Sequence, residues 1–188
     1  MLEKMMKKTN MLDDIERVLV SKEELQQRIG EVAAEISRDY AGKCPVLVGV
    51  LNGVVPFYAA MTQAITIPLT MDFMTVKSYE GTSSTGILNI RKDLDTDIEG
   101  RDVLILEDIL DSGRTLSYIV ELFKTRNPRS VKICTMLDKP EGRVVDLQAD
   151  YICFTVPNAF VVGMGLDYDD YYRNLPFVGV LKPEVYKG

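Results

Sequence analysis

The chain alternates between two hydrophobic rhythms. From Ser21 onward, apolar residues fall at Leu25, Ile29, Val32, Ala33 and Ile36, a spacing that gathers them into one stripe of a helix. Ser21 with Glu24 three residues later forms a capping box at its start, and Gly42 is placed to end it. Pro45–Leu51 is then apolar without alternation, the pattern of a strand covered on both faces, as in a parallel sheet. An Asn52-Gly53 turn leads into a second apolar helix near Pro56–Ala64, and residues 67–76 read as another strand.

The rhythm breaks between Lys77 and Asp102, KSYEGTSSTGILNIRKDLDTDIEGRD. Only ILNI suggests a strand there, so the segment reads as a hairpin with a long tip or as an insertion. Excursions of this length often serve as lids over sites. Order returns with a strand at Val103–Leu106, a helix whose face carries Leu116, Ile119, Val120 and Phe123, a stop at Asn127-Pro128, and a strand at Val131–Leu137. A right-handed crossover is expected for such a strand–helix–strand unit. Tyr151–Val156 and Phe177–Leu181 supply further short strands. The predicted fold class is α/β, a mainly parallel central sheet flanked by helices.

Composition narrows the function. At 188 residues, 46% hydrophobic and 27% charged, the chain fits one globular domain. A formal charge of −6 argues against general nucleic-acid binding, which needs basic surface. No histidine is present, which excludes Ser-His-Asp triads, His-ligated zinc and imidazole bases. Acid–base work must fall to a carboxylate, Lys, Tyr or Cys. Cys44, Cys134 and Cys153 include no C-x-x-C pair, and two of them lie in apolar runs, so reduced thiols and a reducing compartment are expected. The charged opening MLEKMMKKTN lacks the apolar core of a signal peptide, and no run reaches the roughly 20 apolar residues of a membrane span. The expected location is cytoplasmic.

In an open parallel sheet, ligands bind beyond the carboxyl ends of the strands. After Val103–Leu106 comes Glu107-Asp-Ile-Leu-Asp-Ser-Gly-Arg-Thr-Leu116. Its second half suits an anion: helix-start N–H groups, the Ser112 and Thr115 hydroxyls and the pliant Gly113 can wrap a phosphate. Its first half, Glu107 and Asp108, can accept from the two hydroxyls of a ribose or hold the water shell of Mg²⁺. A phosphate cradle beside diol acceptors describes a phosphorylated ribose. The P-loop and dinucleotide fingerprints are absent, since Gly163-Met-Gly165 lacks a third glycine.

VLILEDILDSGRTL resembles the phosphoribosyl-diphosphate signature of the type I phosphoribosyltransferases. LVGVLNG, KSYEGTSSTG, Lys139 and NAFVVGMGLDYDDYYRNLPFVGVL are similar to the hypoxanthine-guanine branch of that family, over about Ile15 to Leu181. The resemblance implies transfer of a 5-phosphoribosyl group from its 1-diphosphate to N9 of hypoxanthine or guanine, with Mg²⁺ as cofactor, small-molecule substrates and a homodimer or homotetramer. It implies a hood from the N- and C-terminal segments and a lid at about 77–102, with Ser78 and Tyr79 at its tip. Glu107 and Asp108 would face the ribose hydroxyls and Mg²⁺. Asp111, Ser112, Gly113, Arg114 and Thr115 would hold the 5′-phosphate, Asp111 also acting at purine N7. Leu51, Asn52 and Gly53 would bind pyrophosphate through a loop that family members bend with a cis peptide after the leucine, and Arg173 would reach the same group. Lys139 would donate to the purine 6-oxo group, Phe160 would stack on the base, Val161 would offer backbone bonds, and Asp167 would lie near the base and a second metal.

Two positions depart from the best-known pattern. Asn52 stands where animal members carry lysine, which throws weight onto backbone N–H groups and Arg173. Arg114 replaces a lysine or apolar residue at the least constrained point of the phosphate loop. Two rival readings remain: a regulator that binds the diphosphate as a signal, for which the acidic chain offers no nucleic-acid surface, and an enzyme for another base such as xanthine or a pyrimidine.

Overall fold

The Ser21 capping box forms as expected: the Ser21 N–H donates to Glu24 Oε2 at 2.8 Å, and Glu24 N–H donates back to the Ser21 hydroxyl at 3.2 Å. It opens α1, Lys22–Asp39, which buries Leu25, Ile29, Val32, Ala33 and Ile36. The helix ends at Tyr40 rather than at Gly42, which instead takes the left-handed conformation (φ 73°) in the following turn. The structure, a computed structural model, describes residues 10–78 and 88–187. Its strands are β1 Ile15–Val20, β2 Val46–Val50, β3 Thr70–Ser78, β4 Leu88–Lys92, β5 Asp102–Leu110, β6 Ser130–Asp138, β7 Tyr151–Thr155, β8 Val161–Val162 and β9 Val178–Leu181. The remaining helices are α2 Val55–Ala64, α3 Arg114–Lys124 and the short α4 Pro183–Tyr186.

Six strands form the central sheet in the order β4-β3-β2-β5-β6-β7. Every neighbouring pair is parallel except β3 and β4. The unbroken apolar runs are explained by burial on both faces. Leu47, Leu104, Leu106 and Met136 face the core shared with α1 and α2, whereas Val46, Val48, Val103 and Ile105 pack with Leu116, Ile119 and Phe123 of α3. Alternation persists in direction but not in polarity, because each direction meets a helix. Cys134 and Cys153 are buried thiols and Cys44 is exposed.

A second sheet, β1-β9-β8, joins residues near the start of the chain to others near its end, antiparallel throughout. β1 reads IERVLV, too charged to stand out from sequence pattern alone. It is a strand because β9, four buried residues, needs a partner on that side.

The Lys77–Asp102 segment divides. β4 closes a hairpin on β3, with Ser78 opposite Leu88. Beyond it, Arg126 grips Asp93 through two hydrogen bonds (2.9 and 2.8 Å), and Ile98 is 1% exposed. The Leu88–Asp102 half is thus tied to the body of the protein, contrary to a lid spanning the whole segment. Tyr79 and the rest of the expected tip lie outside the described residues.

β2 delivers the Leu51 loop to the sheet's carboxyl edge, and its packing is tight. A Cβ added at Gly49 would lie 2.8 Å from Tyr58 Cδ2 and 2.9 Å from Phe73 Cδ1, on rings already 4.5 Å apart. Gly49→Ala is expected to destabilise the fold by about 1–3 kcal/mol through overpacking, read as a lowered urea midpoint. An unchanged midpoint would mean that the two rings move aside without cost.

Candidate active site

β5 is longer than its sequence suggested. Glu107 and Asp108 lie within it, paired with β6 through Glu107–Thr135 and Ile109–Leu137, and not on the loop beyond a strand ending at Leu106. Being inside a strand sends consecutive side chains to opposite faces, so the two acids serve different surroundings. Glu107 lines a cavity of about 160 Å³ together with Asp111, Ser112, Gly113, Thr115 and Leu116. Its Oε2 is buried and has no hydrogen-bond partner among the described residues. Asp108 points to the Leu51-Asn52-Gly53 loop, where a Cβ on Gly53 would fall 1.8 Å from Asp108 Oδ2 and 3.5 Å from Arg173 Nη1.

Both acids are proton-hungry. Burial first, and the Asp108 charge second, push Glu107 well above the usual carboxylate range. Burial pushes Asp108 up to about 6, against the opposing pull of the Ile109 N–H, its own backbone N–H and Arg173. Asp167 adds a smaller upward push.

The loop beyond β5 turns at Gly113, which adopts φ 78° and immediately precedes α3. The first-turn N–H groups of α3 therefore open onto the same cavity as Ser112 and Thr115. Arg114 is exposed. Asp111 sits at the head of this loop, and Lys139 Nζ lies 3.1 Å from its Oδ2. The Lys139 side chain is only 13% exposed, so it is no ordinary surface lysine. Its own N–H donates to the Leu110 carbonyl at 3.0 Å.

The third wall is the Gly163–Arg173 loop. A Cβ on Gly165 would lie 1.8 Å from the Gly53 carbonyl oxygen, so this loop and the Leu51 loop touch through glycine at both points. The Leu51–Asn52 peptide is cis. Arg173 forms an ion pair with Asp167 Oδ1 at 2.9 Å and donates to Asp170 Oδ1 at 2.8 Å and to the Gly165 carbonyl at 2.8 Å. Val161 is buried in β8, and Phe160, just before it, is 37% exposed. A larger groove of about 390 Å³ lies between α1 and α2, lined by Leu25, Ile29, Ala60 and Ala64, and carries none of these groups.

The structure thus gathers Glu107, Asp111, Ser112, Gly113 and Thr115 about one cavity, joins Lys139 to Asp111, and joins Asp108, Gly53, Asp167 and Arg173 on the other side. Tyr79 is not described, and Ser78 is described as backbone only, at the end of β3.

Two residues escaped the sequence reading. Arg143 donates from Nε to the Asp111 carbonyl at 2.8 Å and from Nη2 to the Leu110 carbonyl at 3.1 Å, and also bonds Asp138 and the Leu147 carbonyl. It buckles the Lys139 segment to the back of the Asp111–Thr115 loop. In DKPEGRVVD it looks like any solvated arginine. Tyr172 buries its ring and donates to Asp14 Oδ2 at 2.6 Å, tying the Arg173 loop to the segment before β1. No spacing rule connects residues 158 positions apart.

The raised acids have a consequence for stability. A carboxyl whose folded pKa lies above its unfolded value stabilises the fold at low pH and loses that contribution as pH rises through the folded value. In protein free of metal and substrate, stability is expected to fall between about pH 4 and pH 6.5, by on the order of 2–3 kcal/mol for Asp108. Asp93, held low by Arg126, works in the opposite sense in more acidic solution. Urea unfolding across this range checks it: Asp108→Asn should flatten the slope, and an unaltered slope would refute the assignment.

Comparison with known proteins agrees with this geometry. Residues 19–169 match the phosphoribosyl transferase domain family. The hypoxanthine-guanine phosphoribosyltransferase of Streptococcus pneumoniae is 54% identical over 175 residues, covering 93% of this chain and 97% of that protein. The protein of the same name from Streptococcus thermophilus is 56% identical over 174 residues, covering 92% and 97%. A solved hypoxanthine phosphoribosyltransferase from Staphylococcus aureus superposes with TM-score 0.92 at 46% identity, over 96% of this chain and 100% of that one. The chain belongs to the phosphoribosyl transferase family, in its hypoxanthine-guanine branch.

Proposed function

We propose that the protein joins a 6-oxopurine, hypoxanthine or guanine, through N9 to the ribose C1 of 5-phosphoribosyl 1-diphosphate, releasing pyrophosphate and giving IMP or GMP. The observation that carries this reading is the Lys139–Asp111 pair, 3.1 Å apart. One edge of a 6-oxopurine sets the 6-oxo oxygen beside N7, roughly 3 Å apart, the pairing that a bidentate partner reads on guanine. A lysine donor beside a carboxylate acceptor matches a 6-oxo acceptor beside an N7–H donor. Adenine offers an amino donor at position 6 instead, which a lysine cannot satisfy.

The chain's own groups then divide the work. The Asp111–Thr115 loop and the start of α3 grip the 5′-phosphate. Glu107 Oε2, a buried acceptor without a donor among the described residues, fits a ribose hydroxyl. The Leu51-Asn52-Gly53 loop and Arg173 take the pyrophosphate end, and Val161 offers backbone bonds to the base. Asp111 takes or shares the N7 proton as N9 attacks an oxocarbenium-like ribose. A lid carrying Ser78 and Tyr79 over the site would keep water from that cation.

Mg²⁺ fits the donor set. Among the described residues no cluster of three or more ligating side chains exists, but Mg²⁺ usually takes one or two carboxylates and completes its shell with phosphate oxygens and water. Asp108 and Asp167, near enough for the Asp167 charge to act on Asp108, would hold it on the pyrophosphate side, and Glu107 on the ribose side. When bound it supplies charge neutralisation for the leaving pyrophosphate.

A homodimer or homotetramer and a cytoplasmic location complete the reading. Among the described residues no helix is long and apolar enough to cross a membrane, and light scattering reads the assembly.

Initial rates with Mg²⁺, the diphosphate and each of hypoxanthine, guanine, xanthine, adenine and uracil test the reaction. Turnover of hypoxanthine or guanine without adenine is expected; adenine turnover would remove Lys139 from its role, and no turnover of any base would favour a diphosphate-binding regulator. Asp111→Asn should lower kcat by about 10²–10⁴-fold, the range for loss of a general base, with thermal unfolding little changed because the side chain is 46% exposed. Near-normal turnover in that variant would end the proposal that Asp111 handles the N7 proton.

A further inference from the structure

Phe160 has two ring faces, and one is already taken. Tyr186, in α4, stacks on it with centroids 4.7 Å apart and planes 19° from parallel, while Tyr168 meets it edge-on at 5.6 Å and 85°. The remaining exposure of Phe160, 37%, is large for a phenylalanine held between two other rings. It is what a ring with one uncovered face would show.

We infer that Tyr186 is a positioning residue for the purine: it backs Phe160 so that base, Phe160 and Tyr186 form a three-layer stack. This rests on the reading of Phe160 as the ring that receives the base, and adds a residue from the chain's last helix to that subsite.

Several contacts hold Tyr186 on the far side of Phe160. The Leu181 N–H donates to the Phe160 carbonyl at 2.9 Å, so the strand leading to α4 is fastened to Phe160 itself. Lys182 donates its N–H to the Asp14 carbonyl at 2.9 Å and its Nζ to the Asp13 carbonyl at 2.7 Å. Val185 and Tyr186 pack against the cluster of Val162, Tyr172, Leu175 and Leu181, the core beneath the three-stranded sheet. Lys187 Nζ caps the Tyr186 ring at 5.8 Å from its centroid. α4 is thus bound to the small sheet with Tyr186 stacked on one face of Phe160, and the base is assigned to the other face.

The backing has a physical purpose. A partly exposed phenylalanine samples rotamers, and a base that stacks on it must first immobilise the ring. Tyr186 does this in advance, as offset stacking fixes the plane of Phe160. The benefit falls on purine binding and not on the phosphate or pyrophosphate contacts, which come from other elements.

Steady-state kinetics and thermal unfolding on the full chain test this with Tyr186→Ala, Tyr186→Phe, Phe160→Ala and the double alanine variant. Tyr186→Ala should raise the purine KM about 3–10-fold, the range of one aromatic pair, without moving the KM for the diphosphate. Tyr186→Phe, which keeps the ring, should rescue it. Phe160→Ala should raise the purine KM further, and adding Tyr186→Ala to it should add nothing, because Tyr186 acts only through Phe160. An unchanged purine KM in Tyr186→Ala overturns the inference, as does an additive double variant. A lowered purine KM overturns it too, since Tyr186 would then occupy the face the base needs. Parallel rises in both KM values with a lower Tm, unrescued by phenylalanine, would mean a merely structural role. If Phe160→Ala itself leaves the purine KM unmoved, the platform reading fails, a result separate from failure at Tyr186 alone.

Discussion

The site depends on how closely three backbone segments approach one another at the carboxyl edge of the central sheet. Gly165 meets the Gly53 carbonyl, and Gly53 meets the Asp108 carboxylate, each where a single added carbon would overlap at 1.8 Å. A side chain at Gly165 would have to move the Leu51–Gly53 loop, and one at Gly53 would displace the Asp108 carboxylate. The Gly165–Gly53 contact is backbone on backbone, and it seats the Leu51–Gly53 loop against the Asp108 carboxylate and the Arg173 guanidinium. Arg173 then spans the junction, bonded at once to Asp167, Asp170 and the Gly165 carbonyl.

A parallel arrangement holds the other half of the site. Arg143 fastens the carbonyls of Leu110 and Asp111 to the segment that carries Lys139. Gly142 lets that segment lie directly against the Asp111 carboxylate, where a Cβ would come within 1.8 Å. The Lys139–Asp111 pair owes its spacing to this buttress. Between the two halves runs β5, whose alternating pleat sends Glu107 toward the Asp111–Thr115 loop and Asp108 toward the Leu51–Gly53 loop. Two adjacent acids in sequence meet two separate surroundings, and burial raises both.

Much of this was legible beforehand, and the reasons differ by element. The α1 stripe, the doubly buried runs of β2, β5 and β6, and the β5–α3–β6 unit follow from local periodicity. The Asp111–Thr115 loop stood out because small, hydroxylated and glycine residues in consecutive positions before a helix start suit an anion. Lys139, Phe160, Asp167 and Arg173 were placed only through resemblance, since a lone lysine or phenylalanine has no pattern of its own. β1 was missed because its charges mask a strand whose stability comes from pairing with β9 across the length of the chain.

The sequence by itself determined helices α1, α2 and α3, the buried strands of the central sheet with their mainly parallel order, and an anion-suited loop after β5, because these depend on the spacing of residue types along a continuous stretch. Only the tertiary structure decided that β5 extends through the two acids and divides them between faces, that Arg143 and Tyr172 brace loops they are remote from in sequence, and that Tyr186 covers Phe160. Those outcomes depend on register between strands and on contacts between segments far apart in the chain, and neither quantity is written in local spacing.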